Sequence, residues 1–219
     1  MRKNVISFSL WGSDPSYYVG LRENIRLRDL VYPGWGIRVY THNLQHDIGD
    51  IVTSSHDTEF VDVPVTRGKL DGMFWRFTAI DVPGTEAFIS RDLDSRLNYR
   101  EKAAVDEWLS SGKSLHVMRD HKNHNTAILG GMWGLKKTPG RPTMSQLINK
   151  WGDYRSHRVD QVFLRRVVWP LYRGDCISHD SRAFSAFMPS KPFPAHEPIL
   201  DGGRFVGQQY NQSNSPVLG

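Results

Sequence analysis

The chain alternates short apolar runs with segments of helical period, and this alternation limits it to a layered α/β fold more firmly than any other feature. "NVISFSLWG" (4–12) reads as a buried strand ending in a glycine turn. Ser13 or Asp14 then stands where a helix cap belongs, Pro15 suits a first turn, and Tyr18, Leu21 and Ile25 recur at helical spacing to about residue 31. "GIRVYTH" is a second strand, and the polar stretch 41–66 holds a short one, "EFVDVPV". In "LDGMFWRFTAI", Met73, Phe77 and Ile80 share a helical face that ends before Pro83. "EAFIS" is the next strand, and "REKAAVDEWLSS" is a helix turning Ala104 and Trp108 inward. "SLHVMRD" is a strand, and "TAILGGMWGLKK" reads as a strand interrupted by Gly130-Gly131. Helices at about 143–151 and 159–169 and a short strand, "CIS", complete the pattern. The expectation is an α/β fold with a mostly parallel central sheet flanked by helices.

With 219 residues and 39% hydrophobic content, the chain can bury one core, so a single domain is expected over 1–205. The remainder, 206–219, is polar and without periodicity, and reads as a tail or linker. The net charge of +5 is mixed along the chain rather than blocked. It suits an anionic small ligand, and no clustered Lys/Arg stripe argues for nucleic acid. A single cysteine, Cys176, excludes an internal disulfide and fits a reducing compartment. The N-terminal apolar run is too short and broken for a secretory signal, and no stretch approaches the ~20 apolar residues of a membrane span. A soluble cytoplasmic protein is expected.

The strand "AFIS" stops abruptly at "RDLDSR", where Asp92 and Asp94 are flanked by Arg91 and Arg96. Two carboxylates one residue apart at the carboxyl end of a strand can share a hard cation such as Mg²⁺ or Mn²⁺. Chance occurrence in a solvated turn is the bland alternative. Aspartyl-phosphatase chemistry needs Thr or Val two residues past the second acid and an early strand; Arg96 and some ninety preceding residues exclude it. Arg76 interrupts an apolar helix and needs an anionic partner if buried, which a phosphate or Asp92 would supply.

"MFWRFTAI", "ISRDLDSRLNYREKAAVDEWL", "HVMRDHKNHNTAILGGMWG", "DQVFL" and "FVGQ", in this order, resemble a small family of DxD-containing GT-A glycosyltransferases. Its relatives occur in bacteria and large algal viruses, and include the amino-terminal domain of a chlorella-virus glycosyltransferase that builds capsid glycans. The similarity spans roughly residues 4–207. It implies a Rossmann-like GT-A fold, a UDP-sugar donor, a glycan or glycoprotein acceptor, and Mn²⁺ or Mg²⁺. Asp94 would be the main metal ligand, Asp92 would reach the ribose or the ion, and His179, with His196 in reserve, would be a third ligand. Ser9, Trp11 and Gly12 would hold the uracil and ribose, and Gly130-Gly131 would face the sugar. Arg91 and Arg96 would balance the acids or approach the diphosphate; Lys191 and Arg204 are further diphosphate candidates. Asp160-Gln161 would stand near the anomeric carbon and implies retention of configuration, whereas Asp120 could serve as the base of an inverting enzyme. His121 and His124, beside Asp120 beyond a strand end, read as acceptor-side lining or as part of a hydrogen-bond network behind it, and Trp75 and Trp133 could face the sugar. A hexosyl- or deoxyhexosyltransferase is the expected activity, and a non-catalytic nucleotide- or glycan-binding module on the same fold is the alternative.

Overall fold

The computed structural model describes residues 2–66, 68, 70–152, 158–182, 189–195 and 204–217. One seven-stranded sheet runs through it in the order β3-β2-β1-β4-β6-β5-β7. Its strands are β1 (Asn4–Trp11), β2 (Gly36–His42), β3 (Thr58–Asp62), β4 (Ala87–Ser90), β5 (Leu115–Arg119), β6 (Trp133–Lys136) and β7 (Cys176–Asp180). Only β6 runs against its neighbours, β4 and β5. The chain builds outward from β1 through β2 to β3, then returns to the other side of β1 with β4. The carboxyl ends of β1 and β4 therefore flank a point where strand order reverses, the place where open α/β sheets form a ligand crevice.

Helix α1 (Pro15–Val31) starts as the sequence predicts, with the Asp14 carboxylate accepting from Ser16 N and proline in the first turn. The irregular stretch after β2 contains a short helix that the sequence reading missed, α2 (Gly49–Ser54). The expected single helix over 70–80 is instead α3 (Gly72–Trp75) continued as a 3₁₀ turn, Arg76–Asp81. Phe74, Trp75, Phe77, Ala79 and Ile80 are all buried there, so the segment is a core insertion rather than a one-faced surface helix. Phe77 and Phe88 meet the fully buried Trp133 edge-on, at 5.2 and 5.1 Å between ring centres. "TAILGGMWGLKK" is extended only from Trp133; residues 126–132 are a looped approach to β6.

The remaining helices are α4 (Tyr99–Ser110), α5 (Met144–Lys150), α6 (Val159–Phe163) and α7 (Trp169–Tyr172), the last two joined by a π turn, Leu164–Val168. Helix α4 is capped by Asn98, whose side chain accepts from Glu101 N at 2.8 Å. The start of α5 is held twice, by a Thr143–Gln146 capping box and by Asp81, which accepts from Met144 N and Ser145 N.

Helix α1 fixes the loop after β4. Asn24 donates to Ser95 O at 2.9 Å and accepts from Leu97 N at 3.0 Å, all three groups being buried. One turn earlier, Gly20 lies so close to the loop that a Cβ would overlap the Leu93 carbonyl oxygen. In an ordinary helix Gly→Ala gains ~1 kcal/mol. Gly20→Ala is expected to do the opposite and lower the midpoint of urea unfolding. Asn24→Ala should cost ~1–3 kcal/mol by stranding a buried carbonyl and N–H. A stabilising Gly20→Ala would refute the packing described.

Candidate active site

Four chain segments converge beyond the carboxyl ends of β1 and β4. Strand β1 supplies Ser9 and Trp11; the loop after β4 supplies Asp92 and Asp94. The approach to β6 supplies Gly130, and α6 supplies Asp160 and Gln161 around a cleft of about 440 Å³. Tyr17, Leu70, Met73, Arg76, Leu93, Arg158 and Gln209 also line it, and of these Tyr17, Arg158 and Gln209 are not singled out in the sequence. Arg158 carries the left-handed backbone, φ 67°, that starts α6.

Arg76 organises the charges. Its guanidinium pairs with Asp92, donates to Arg91 O at 3.2 Å, and lies 3.5 Å from Asp160 Oδ2. Its backbone N–H donates to Ser9 Oγ at 3.2 Å, which ties the 3₁₀ turn to β1. Arg76 is buried, so its two carboxylate partners offset a desolvation cost that one neutral partner could not. Gly130 and Gly131 make room for the cluster. A Cβ on Gly130 would overlap Asp160 Oδ2 and lie 2.8 Å from Arg76 Nη2, and one on Gly131 would overlap Asp92 Oδ2. These glycines are required by close approach rather than by backbone angle.

Burial, then the charge of Asp92, pushes the Asp94 carboxyl up to about 6. Burial likewise raises Asp160, against the pull of Arg76. Burial, then Asp94 and Asp92, pushes the Tyr17 phenol up to about 12. The site therefore opposes its own second negative charge, which suits a position built to receive a cation. Asp92 and Asp94 fit a hard divalent ion. Among the described residues no group of three or more His, Cys, Asp or Glu converges, so the ion would complete its shell with phosphate oxygens and water.

Residues 204–217 lie across the site. Tyr210 N donates to Asp94 O at 2.7 Å, Gln209 Nε2 donates to Asp94 Oδ2 at 2.8 Å, and Tyr210 bridges Pro216 to close a hairpin. Arg96 secures this strap: its Nε donates to Asn214 Oδ1 at 3.0 Å and its guanidinium lies 4.6 Å from the Tyr210 ring centre.

Several sequence-predicted site residues stand elsewhere. His179 is fully buried on β7, with Nδ1 2.9 Å from His116 Nε2 and Nε2 3.2 Å from Glu107 Oε2. Strand alternation aims it at α4, three strands away from β4, and it is no metal ligand of the acidic pair. Asp120 is clasped by Arg100 through both oxygens, at 2.7 and 2.8 Å, and also accepts from Val206 N, so it is not available as a base. Arg91 turns inward to Glu101 at 3.2 Å and to Trp133 O, and does not line the cleft. Gly12 forms the turn after β1 at φ 83°, with its carbonyl accepting from Tyr18 Oη, and does not line the cleft. Lys191 pairs with Glu107, Arg204 donates to Tyr210 Oη, and Trp133 is core. Trp75 meets Trp11 edge-on at 5.8 Å behind the lining. His196 lies outside the described residues.

The electrostatic cost at Asp94 has a sign that can be checked. An unfolded aspartate ionises near ~3.9, whereas the folded Asp94 does so at about 6. The ionised form therefore costs nothing below the lower value, progressively more between the two, and a constant amount above. After allowance for partial exposure, Asp94→Asn should stabilise the metal-free protein by roughly 1–2 kcal/mol at about pH 7.5, the gain shrinking towards about pH 4.5. Urea titrations at the two pH values check this; equal gains at both would refute it.

No protein-family model matches the sequence, and no curated protein is similar to it in sequence. Solved structures match the fold. A glycosyltransferase involved in the glycosylation of the major capsid of the virus PBCV-1 aligns with TM-score 0.54 and 14% identity, over 81% of each chain. A mannosyltransferase from Pyrobaculum calidifontis, solved with GDP-mannose and Mn²⁺, aligns with TM-score 0.54 and 14% identity, over 88% of this chain and 57% of that one. The galactosyltransferase LgtC, solved with donor and acceptor sugar analogues, aligns with TM-score 0.53 and 11% identity, over 81% of this chain and 73% of that one. The reversal of strand order beside β1, the single antiparallel strand β6 and this structural likeness lead to one statement: the chain has the fold of the GT-A nucleotide-diphospho-sugar transferases.

Proposed function

We propose that the chain is a metal-dependent glycosyltransferase that moves a hexosyl or deoxyhexosyl group from a UDP-sugar to a glycan acceptor with retention of configuration. The observation that carries this reading is the convergence of Asp92, Asp94, Arg76 and Asp160 on one cleft at the reversal point of the sheet. A cleft floored by an acidic pair whose second charge is disfavoured, with guanidinium groups beside it, suits a diphosphate held with a cation.

Asp92 and Asp94 would hold Mn²⁺ or Mg²⁺, which when bound neutralises the charge growing on a departing diphosphate. Trp11 would meet the base from the cleft wall, with Ser9 and Tyr17 in the same lining. Arg158 contributes an exposed cation to the cleft, while Arg76 is fixed by its two carboxylates and keeps Asp92 oriented. Asp160, only 2% exposed, is a carboxylate with little water around it. It is suited to stabilising positive charge at the anomeric carbon through a preorganised field. Arg100 holds both oxygens of Asp120, which favours Asp160 over Asp120 as the carboxylate near the anomeric carbon.

A panel of UDP-sugars with Mn²⁺ tests the proposal by donor hydrolysis and by isothermal titration with UDP. At least one UDP-sugar should turn over. Asp94→Asn should lose metal-dependent UDP affinity, and Asp160→Asn should lower kcat by ~10²–10³ while sparing UDP binding. His179→Gln should leave UDP and Mn²⁺ affinity unchanged. Metal-dependent UDP binding without turnover of any UDP-sugar would favour the non-catalytic module, and no UDP binding at all would sink both.

A further inference from the structure

A second cavity, of about 340 Å³, shares Asp92, Asp94, Gly130, Gln161 and Gln209 with the first but is otherwise walled by different residues. It falls within the ~300–1,000 Å³ range of small-ligand sites. The two cavities differ in charge. The first has Arg76 and Arg158 in its lining; the second, among the described residues, has neither lysine nor arginine.

The distinctive wall is made of His121, Asn123, His124, Phe205 and Gln208. His121 stacks on Phe205 at 4.5 Å between ring centres and 18° between planes, and His124 meets the same ring edge-on at 5.8 Å. Each imidazole accepts a backbone N–H at Nδ1, His121 from Asn123 N at 3.3 Å and His124 from Asp120 N at 3.0 Å. In the neutral ring this leaves the proton on Nε2 of both, as a donor. Burial, then His121, pushes His124 down to about 4, so it stays uncharged at neutral pH. Leu129 and Met132 add apolar surface. Ring faces and edges beside N–H donors and amides are the chemistry that recognises a sugar ring, whose C–H surface packs on aromatics while its hydroxyls exchange hydrogen bonds.

We infer that this second cavity receives the acceptor, and that the acceptor group entering it is an uncharged sugar carrying hydroxyls but no phosphate or carboxylate. The inference rests on the transferase reading above. An anionic acceptor would bring further negative charge to Asp92 and Asp94 and would meet no lysine or arginine among the described lining residues. Desolvating an unpaired anion beside like charges is costly. A cation held by the acidic pair would offset that pair's own charge and leave the acceptor's uncompensated.

The test is ligand-observed saturation-transfer NMR on the intact chain with methyl glycosides of glucose, galactose and mannose, set against methyl glucuronide and glucose 6-phosphate. At least one neutral glycoside should bind, and the charged sugars should bind at least ~10-fold more weakly, the counterpart of ~1.4 kcal/mol. His121→Ala and Phe205→Ala should each weaken the neutral glycoside at least ~10-fold. Asn123→Lys, at an exposed position, should bring the charged sugars to parity. Equal or tighter binding of the charged sugars to the wild type would overturn the inference. So would binding that survives both alanine variants, or no binding by any neutral glycoside. The transferase reading fails separately, in the UDP and Mn²⁺ titration, which does not involve these variants.

Discussion

The contact between α1 and the loop after β4 is the constraint on which the site depends. A pair of acids next to a buried arginine would drift apart in a free loop, because like charges separate and water screens what remains. Asn24 prevents this by closing both a carbonyl and an N–H of that loop, and Gly20 brings the helix backbone against Leu93. The absence of a side chain at one helical position therefore sets where Asp92 and Asp94 can stand. A helix that would gain from alanine on its own keeps glycine because its partner is a backbone oxygen.

The charges then sort themselves by depth. Buried pairs such as Arg91 with Glu101 and Arg119 with Asp180 are closed and stay away from the cleft. Arg76 links Asp92 and Asp160 across the floor, and Asp94 is left with an amide, Gln209, as its side-chain partner. An amide can stabilise a carboxylate but cannot neutralise it, so the disfavoured ionisation of Asp94 is left without a countercharge of its own. That imbalance suits the cleft to a cation, and among the described residues the neighbouring cavity is lined by no lysine or arginine.

Much of the fold was legible in the sequence because strand and helix periods are local properties. The acidic loop was legible because an apolar run ending at two carboxylates is also local. Arg76 could be singled out because a lone charge in an apolar helix demands a partner. The misreadings concern direction. "CIS" located β7, but whether His179 faced the cleft or α4 depended on strand order and alternation across the sheet. Asp120 stood at a strand end as a base should, yet its charge was claimed by Arg100, twenty residues earlier on another element. Arg91, adjacent to the acids in sequence, points away from them, while Arg76, distant in sequence, occupies the position expected of a neighbour. Gln209 and Tyr17 had no signal: a glutamine in a polar stretch and a tyrosine in an amphipathic helix look ordinary until the chain is folded.

The hairpin formed by residues 209–217 borders the acidic cleft and the cavity beside it. Val217 N donates to Gln209 O at 2.8 Å, and Val217 borders the second cavity. A purification handle or fluorescent label fused just after it would start at the rim of that cavity and obstruct whatever enters there. An attachment at the opposite end of the sheet, near Arg2, would leave that rim clear.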